Sequence, residues 1–142
     1  MATQELHRGR LIDHLQLVVT DLAKSRKFYE AVCAALGFEI GGTGKDFFWI
    51  DELFISSQDS VASQGRLTGR THFAFQAKDR DAVEKFYRSA IEAGGKDNGK
   101  PGERPYHPGY FAAFVTDPDG NNIEAVYHGE GKRSAPSVKI TF

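Results

Sequence analysis

The sequence predicts an α+β fold made of two tandem halves, each with the element order β-α-β-β-(β). The first observation is an internal repeat. Equivalent residues lie 58 positions apart in the two halves: His14 and His72, Asp21 and Asp79, Phe28 and Phe86, Tyr29 and Tyr87, Gly37 and Gly95. The second is the stretch FAAFVTDPDGNNIEAV, where two apolar runs flank turn-forming residues, so 111–126 is predicted to be a β-hairpin. Coincidences at this many positions indicate an internal duplication.

Size and composition are those of an ordinary single-domain protein. The chain has 142 residues, a formal net charge of −1 and scattered Lys and Arg residues, which argues against binding to nucleic acid or an anionic membrane. No apolar run is long enough to span a bilayer and MATQELHRGR lacks a signal-peptide core, so we expect a cytoplasmic protein. Cys33 is the single cysteine; it excludes a disulfide framework and is expected to be a core residue on a helix.

The first half begins with an alternating strand and an amphipathic helix. Thr20 and Asp21 are N-cap residue types, and Gly37 is a typical helix terminator. Two short apolar runs follow and are predicted as strands, and the polar stretch after them is predicted as a connector. The predicted elements are a strand at 12–19, a helix at 22–36, strands at 47–50 and 53–56, and a connector at 58–70.

The second half repeats this order. Asp79 is placed to cap a helix whose apolar stripe is Val83, Phe86/Tyr87 and Ala90/Ile91. The segment GGKDNGKPGERPYHPGY is rich in glycine and proline, so it is predicted to be a loop that leads into the hairpin. The predicted elements are a strand at 71–77, a helix at 80–93, a loop at 94–110 and the hairpin at 111–126.

Three polar side chains on the predicted strands form a candidate metal site. Glu124 lies among apolar residues, and alternation directs it away from Ile123 and Ala125. A carboxylate there is costly without a partner, although an edge strand with a solvated Glu is an equally good explanation. His14 and His72 are equivalent in the repeat and point away from the helix-covered face. If a pseudo-two-fold axis relates the halves, both imidazoles and the carboxylate meet on one concave surface.

Two imidazoles and a carboxylate on rigid strands, with open coordination positions, suit a catalytic divalent metal. Such an ion would polarise substrate oxygens or lower the pKa of a bound water. Gln16 and Gln76 lie on the same faces and are candidates for hydrogen bonds to these groups or to substrate, with ordinary polar strand residues as the equal alternative. Fe, Mn, Zn, Ni and Co suit these ligands comparably, so the metal is left open.

The sequence resembles the vicinal-oxygen-chelate superfamily, also called the glyoxalase/bleomycin-resistance/dioxygenase fold. The resemblance rests on IDHLQLVVTDLAKSRKFYEAVCAALGF, THFAFQAKDRDAVEKFYRSAIEAGG and FVTDPDGNNIEAV. It implies one domain at 11–128, with tails at 1–10 and 129–142. It also implies that this domain consists of two tandem βαβββ modules, at about 11–60 and 70–128, which form a cup-shaped mixed β-sheet.

By the same resemblance, His14, His72 and Glu124 are the metal ligands, Glu124 is also catalytic, and the protein is a homodimer with a small-molecule substrate. Glyoxalase I enzymes usually supply a fourth ligand from the last strand of the first module. Here LFISS offers none before Gln58, and Glu52 lies in the preceding turn. This argues against lactoylglutathione lyase activity, whose proton transfer uses a metal-bound glutamate. The three-residue set is closer to extradiol dioxygenases and fosfomycin-modifying transferases.

The stretch RPYHPGY is placed to overhang the cup. His107 is a candidate acid–base residue, and Arg104, Tyr106 and Tyr110 are candidates for substrate binding. A surface loop rich in turn-forming residues is the plainer interpretation. His128, beyond the modules, is expected to be solvated.

The sequence is compatible with three functions of different classes. One is a divalent-metal enzyme acting on vicinal oxygens by isomerisation, extradiol-type dioxygenation, or addition of a thiol or other nucleophile. Another is a metal-free dimer of the bleomycin-resistance type that sequesters a ligand, against which the retained triad argues. A third is a metal-stabilised protein without catalysis. The sequence also leaves open whether the site lies within one chain or is shared across a dimer.

Overall fold

The computed structural model describes residues 5–142 and has the predicted α+β architecture. In chain order its elements are β1 (Glu5–Arg8), β2 (Leu15–Val19), α1 (Leu22–Leu36), β3 (Gly42–Thr43), β4 (Phe47–Ile50), β5 (Leu53–Ser57), a 3-10 helix (Val61–Ser63), β6 (His72–Gln76), α2 (Arg80–Glu92), β7 (Lys96–Glu103), β8 (Phe111–Thr116), β9 (Asn122–Tyr127) and β10 (Val138–Thr141). The order βαβββ occurs twice, from β2 to β5 and from β6 to β9. This confirms the prediction of two tandem modules.

Each module contains one four-stranded mixed sheet. The strand order is β2-β5-β4-β3 in the first module and β6-β9-β8-β7 in the second. In each sheet the first strand of the module pairs in parallel with the last, and the other pairs are antiparallel. The same topology in both modules is the structural counterpart of the sequence repeat.

Both helices begin at the capping residues that the sequence predicts. The carboxylate of Asp21 accepts a hydrogen bond from the backbone N–H of Lys24 at 3.1 Å, and that of Asp79 from Ala82 at 2.7 Å. α1 ends at Gly37, whose φ of 91° lies in the left-handed region that glycine tolerates best. Local sequence therefore determines the helix limits.

The apolar stripes of the helices pack against the sheets in one core. Its fully buried members include Phe28, Val32 and Cys33 of α1 and Phe86 of α2. Burial raises the pKa of the Cys33 thiol to about 12, as expected of a core cysteine. Ile91, predicted in the stripe of α2, remains 40% exposed.

The predicted hairpin is present, and its turn connects the two modules. Asp117 N–H donates to the carbonyl oxygen of Asn121 to close the turn. The buried carboxylate of Asp117 accepts a hydrogen bond from the Tyr29 hydroxyl of α1 at 2.5 Å. Asp119 accepts hydrogen bonds from the backbone N–H and the hydroxyl of Thr20. The turn of the second module thus contacts the residue before the N-cap of α1 and the middle of that helix.

The prediction of a loop at 94–110 is wrong for residues 96–103, which form β7. This strand pairs with β8 through two register shifts, and Gly99 between them has a φ of 151°. Pro101 is tolerated because β7 is the edge strand of its sheet. Bulges and edges accept glycine and proline, so composition alone could not distinguish this strand from a loop.

The segments outside the modules pair with each other. β1 and β10 form an antiparallel two-stranded ribbon, in which Glu5 pairs with Thr141 and Arg8 with Val138. The guanidinium of Arg8 is 7% exposed and donates to the carbonyl oxygen of Asp51 at 2.8 Å. This contact attaches the ribbon to the turn before β5.

Among residues 5–142, the two module sheets are not joined to each other. β2 and β6 each stand at the end of their sheet. Part of the β2 edge is covered, because Val18 exchanges hydrogen bonds with Thr68. The modules meet instead where α1 packs on α2 and at the hairpin turn. Within one chain, the mixed sheet is therefore divided into two parts.

Candidate functional site

Glu124 lies at the centre of the second sheet. Its strand, β9, runs between β6 and β8, and Glu124 is only 3% exposed, so the explanation of a solvated carboxylate on an edge strand is wrong. Its two oxygens have different partners. Oε2 accepts a hydrogen bond from the Tyr110 hydroxyl, and Oε1 lies 3.3 Å from Nε2 of His72. The Tyr110 hydroxyl thus satisfies one oxygen of a carboxylate that would otherwise be costly to bury.

The imidazole of His72 is held in one orientation. Its Nδ1 lies 2.8 Å from the carbonyl oxygen of Asn122, which only accepts hydrogen bonds, so Nδ1 carries a proton. In the neutral ring Nε2 then presents a lone pair toward Oε1 of Glu124. Two acceptors this close repel each other unless a cation holds them together. That cation is either a proton on Nε2 or a metal ion bound to both atoms.

The separation of the two atoms suits a shared metal ion. Nitrogen and oxygen ligands lie about 2.0–2.2 Å from a zinc-like ion, so two ligands at a tetrahedral angle are about 3.4 Å apart. The distance between His72 Nε2 and Glu124 Oε1 is 3.3 Å. The orientation also fits, because histidine ligands commonly donate their other ring N–H to a carbonyl or carboxylate oxygen. The pair therefore fits two positions of a divalent metal site.

His14 has a matching arrangement in the first module. Its Nδ1 lies 2.7 Å from the carboxylate of Asp13, which leaves Nε2 with the lone pair. This hydrogen bond is the main reason why the pKa of Asp13 is lowered. The imidazole is 60% exposed and packs edge-on against the ring of Phe54, with centroids 5.5 Å apart. The His14 imidazole is thus held in one orientation, and its Nε2 is accessible to a metal ion.

Within one chain, however, His14 does not join the other two predicted ligands. No three His, Cys, Asp or Glu side chains among residues 5–142 are grouped so as to hold a metal ion. His72 and Glu124 are adjacent in the second sheet, whereas His14 precedes the edge strand of the first. The candidate ligands are therefore divided into two candidate half-sites, with His72 and Glu124 in the second module and His14 in the first.

Phe54 occupies the position in the first module that corresponds to Glu124 in the second. In the second module Ala74 pairs with Glu124, and in the first module its repeat equivalent, Gln16, pairs with Phe54. The Phe54 ring stacks on Trp49, with centroids 5.7 Å apart. The first module therefore has an aromatic surface where the second has its carboxylate.

The loop after β7 reaches the site through Tyr110. Burial, and then the hydrogen bond to Glu124, raise the pKa of the Tyr110 phenol, so its hydroxyl stays a proton donor. His107 instead contacts His128, with Nε2 and Nδ1 of the two rings 2.8 Å apart. Sequence reasoning missed this contact, because nothing in the local pattern relates residues 21 positions apart on a loop and a strand end.

The other predicted residues make polar contacts of their own. Gln16 donates to the Ser56 hydroxyl at 3.2 Å. Arg104 donates to a backbone carbonyl of β7, and its guanidinium lies over the Phe114 ring, 5.3 Å from the centroid. Their roles in substrate binding stay predictions.

A cavity of about 510 Å³ lies beneath residues 132–138. Gln76 and Glu52 border it, and burial raises the pKa of the Glu52 carboxyl. None of the three predicted metal ligands lines this cavity. It is therefore separate from the site at Glu124.

Two βαβββ modules with the same sheet topology define a class of fold that is built by duplication. The family model described as the Glyoxalase/Bleomycin resistance protein/Dioxygenase superfamily matches residues 11–125. The chain belongs to this superfamily. No curated protein matches the sequence significantly.

Solved structures agree with this assignment. A glyoxalase/bleomycin resistance protein from Albidiferax ferrireducens T118 is 25% identical, with a TM-score of 0.68 over 82% of this chain and 97% of that one. A family enzyme from Burkholderia phytofirmans PsJN is 20% identical, with a TM-score of 0.64 over 82% and 97% of the chains. A lactoylglutathione lyase from Agrobacterium tumefaciens is 19% identical, with a TM-score of 0.58 over 82% and 92%. The last two likenesses support the fold alone.

Neither helix in the described part of the chain has the length and apolarity needed to cross a bilayer.

Proposed function

We propose that this protein is a divalent-metal-dependent enzyme that acts on a small molecule with vicinal oxygen atoms. The observation that supports this best is the pair formed by His72 and Glu124. Its facing atoms are 3.3 Å apart and the carboxylate is buried, so the pair needs a cation between them, which is either a proton on Nε2 or a metal ion. A metal ion supplies that cation at the coordination distances typical of these ligand types.

In this proposal, His14, His72 and Glu124 hold the ion. When bound, the metal polarises substrate oxygens or lowers the pKa of a bound water. The chain's own residues orient the ligands: Asp13 holds the His14 ring by its Nδ1, and Tyr110 holds one oxygen of Glu124. Glu124 is also the catalytic carboxylate in this proposal, because it is the single carboxylate among the three residues that would hold the ion.

The presence of Phe54 in the first module makes one of the three reaction types less favourable than the other two. By the resemblance, glyoxalase I enzymes usually supply a fourth ligand from the last strand of the first module, and Phe54 is the residue of that strand that corresponds to Glu124. We therefore place extradiol-type dioxygenation and addition of a thiol or other nucleophile ahead of isomerisation. His107 stays a candidate acid–base residue for either reaction.

We further propose a homodimer in which His14 of one copy completes the half-site of the other. β2 and β6 are edge strands, and beyond the part of β2 that Thr68 covers these edges would be stabilised by pairing with another strand. Apolar side chains beside β2 are also exposed, with Ile12 at 49% and Leu15 at 43%. A two-fold axis that brings β2 of one copy to β6 of the other would create two equivalent sites.

Elemental analysis of protein purified without chelator or affinity tag tests the proposal. We expect about one divalent ion per chain in the parent and none in Glu124→Gln, which removes the charge but keeps the shape. Glu103→Gln is the matched control, because Glu103 is 67% exposed and pairs with Arg80 on the surface. Absence of metal in the parent after reconstitution with Fe, Mn, Zn, Ni or Co would overturn the proposal.

A metal-free dimer that sequesters a ligand is the second candidate. It is favoured by the stacked Trp49 and Phe54 rings and by the lack of a complete ligand set within residues 5–142. Trp49 is the single tryptophan, so its fluorescence reports on this surface. Saturable quenching by aromatic compounds in a protein that holds no metal would support this alternative; unchanged fluorescence would exclude it.

A further inference from the structure

The segment between β7 and β8 is attached to the end of β9 at two points. His107 Nε2 lies 2.8 Å from His128 Nδ1, and the two rings stack with centroids 5.1 Å apart. Beside them the backbones of Gly109 and Gly129 touch, since a Cβ on Gly129 would lie 3.1 Å from Gly109 Cα. Both glycines have positive φ, 84° and 71°. We refer to these four residues as the clasp.

Tyr110 follows Gly109 directly, and its ring packs against both imidazoles of the clasp. The ring is edge-on to the imidazoles of His107 and His128, with centroids 5.3 and 5.4 Å away. The N–H of Tyr110 donates to the carbonyl oxygen of His107 at 3.2 Å. From this position the Tyr110 hydroxyl reaches Oε2 of Glu124.

The hydrogen bond from Tyr110 fixes the rotation of the Glu124 carboxylate. With Oε2 engaged, Oε1 is the oxygen that faces Nε2 of His72. Without the hydroxyl, Oε2 would be a buried acceptor without this donor, and the side chain would be free to turn. Groups that hold a ligand in this way typically change metal affinity although they never touch the ion.

We propose that the clasp positions Tyr110, and that Tyr110 in turn presents a single oxygen of Glu124 to the site. The four clasp residues and Tyr110 are positioning residues. The effect on metal affinity rests on the proposed function, whereas the effect on the geometry of Glu124 does not. Two experiments therefore separate the proposals.

The first experiment uses metal-free protein. Gly129→Ala places a methyl group against Gly109 and disfavours the φ of 71°, so it should open the clasp without removing any ring. In crystal structures we expect the hydrogen bond from Tyr110 to Glu124 in the parent and its loss in the variant. If Gly129→Ala does not fold, His107→Gln takes its place. Persistence of the hydrogen bond in an opened clasp would overturn the proposal.

The second experiment measures Zn²⁺ affinity by calorimetry. We expect Tyr110→Phe to weaken binding by about 10–100-fold, the range seen for groups that orient a ligand. Gly129→Ala should weaken it by up to the same factor, and the double variant should be no weaker than Tyr110→Phe alone, because both changes act through one hydroxyl. Additive losses would refute this. Tyr87→Phe is the matched control, because Tyr87 lies on α2 and its ring packs against the core.

A parent that binds none of Zn²⁺, Fe²⁺, Mn²⁺, Ni²⁺ or Co²⁺ would overturn the proposed function. The crystal structures would still decide whether the clasp positions Tyr110, so the two failures are distinguishable.

Discussion

At the residue scale, Phe86 gives the clearest test of the core. It is fully buried on α2 and its ring packs at 6.4 Å from that of Phe75. We expect Phe86→Ala to lower the free energy of unfolding by about 3–5 kcal/mol, because it removes apolar contacts and leaves a cavity. The matched control is Ile91→Ala on the same helix, which is 40% exposed. Urea denaturation of both variants measures the difference; equal midpoints would contradict this placement.

The environment of Tyr29 leads us to expect that the free energy of unfolding depends on pH. Burial, and then the charge of Asp117, raise the pKa of the Tyr29 phenol well above its ordinary value. Above about pH 10 the unfolded chain loses this proton while the folded chain keeps it, so the free energy of unfolding falls as pH rises. The slope from one such group is about 1.4 kcal/mol per pH unit. Denaturation between pH 9 and 11 should show a shallower slope for Tyr29→Phe than for the parent; identical slopes would contradict the assignment.

Periodicity predicts which residues are buried but not what their polar atoms contact. Phe28 and Phe86 follow from the apolar stripe, because each helix must cover a sheet. Tyr29 belongs to the same stripe, yet its hydroxyl bonds Asp117, a contact across 88 positions in the chain. Only the tertiary arrangement determines such a pairing.

At the scale of elements, the N-caps are expected to contribute measurably. Asp79→Ala removes the acceptor for the N–H of Ala82 and should destabilise the protein by about 1 kcal/mol. Asp81→Ala is the control, because Asp81 lies in the first turn of α2 and acts there only through the helix dipole. Thermal denaturation should show the larger loss for Asp79→Ala. A larger loss for Asp81→Ala would mean that the cap is not the source of the stability.

Helices and the hairpin were predictable because their signals are local. Asp21 and Gly37 mark the two ends of α1, and Pro118 and Gly120 mark the hairpin turn. β7 was not predictable, because its glycines and proline are tolerated only through bulges and an edge position, which depend on the neighbouring strand β8.

At the scale of the whole molecule, the sequence could predict that His72 lies beside Glu124, but it could not predict where His14 lies relative to them. The pairing of β6 with β9 follows from the shared module topology, and it brings His72 to Glu124. His14 has the equivalent place in the first module, but equivalence within a repeat does not specify whether the two sheets meet in one chain or between two chains. The edge strands β2 and β6 make the second arrangement the stronger hypothesis.

A dimer with shared sites predicts complementation between two variants that bind no metal. His14→Ala lacks one half-site and His72→Ala damages the other. In a mixed dimer one site then carries both changes and the other carries neither. After equal amounts are unfolded and refolded together, mixed dimers make up about half of the population, so about a quarter of the sites should bind metal. Each variant refolded alone is the control. Elemental analysis measures the result, and a mixture without metal would show that the site is not shared in this way.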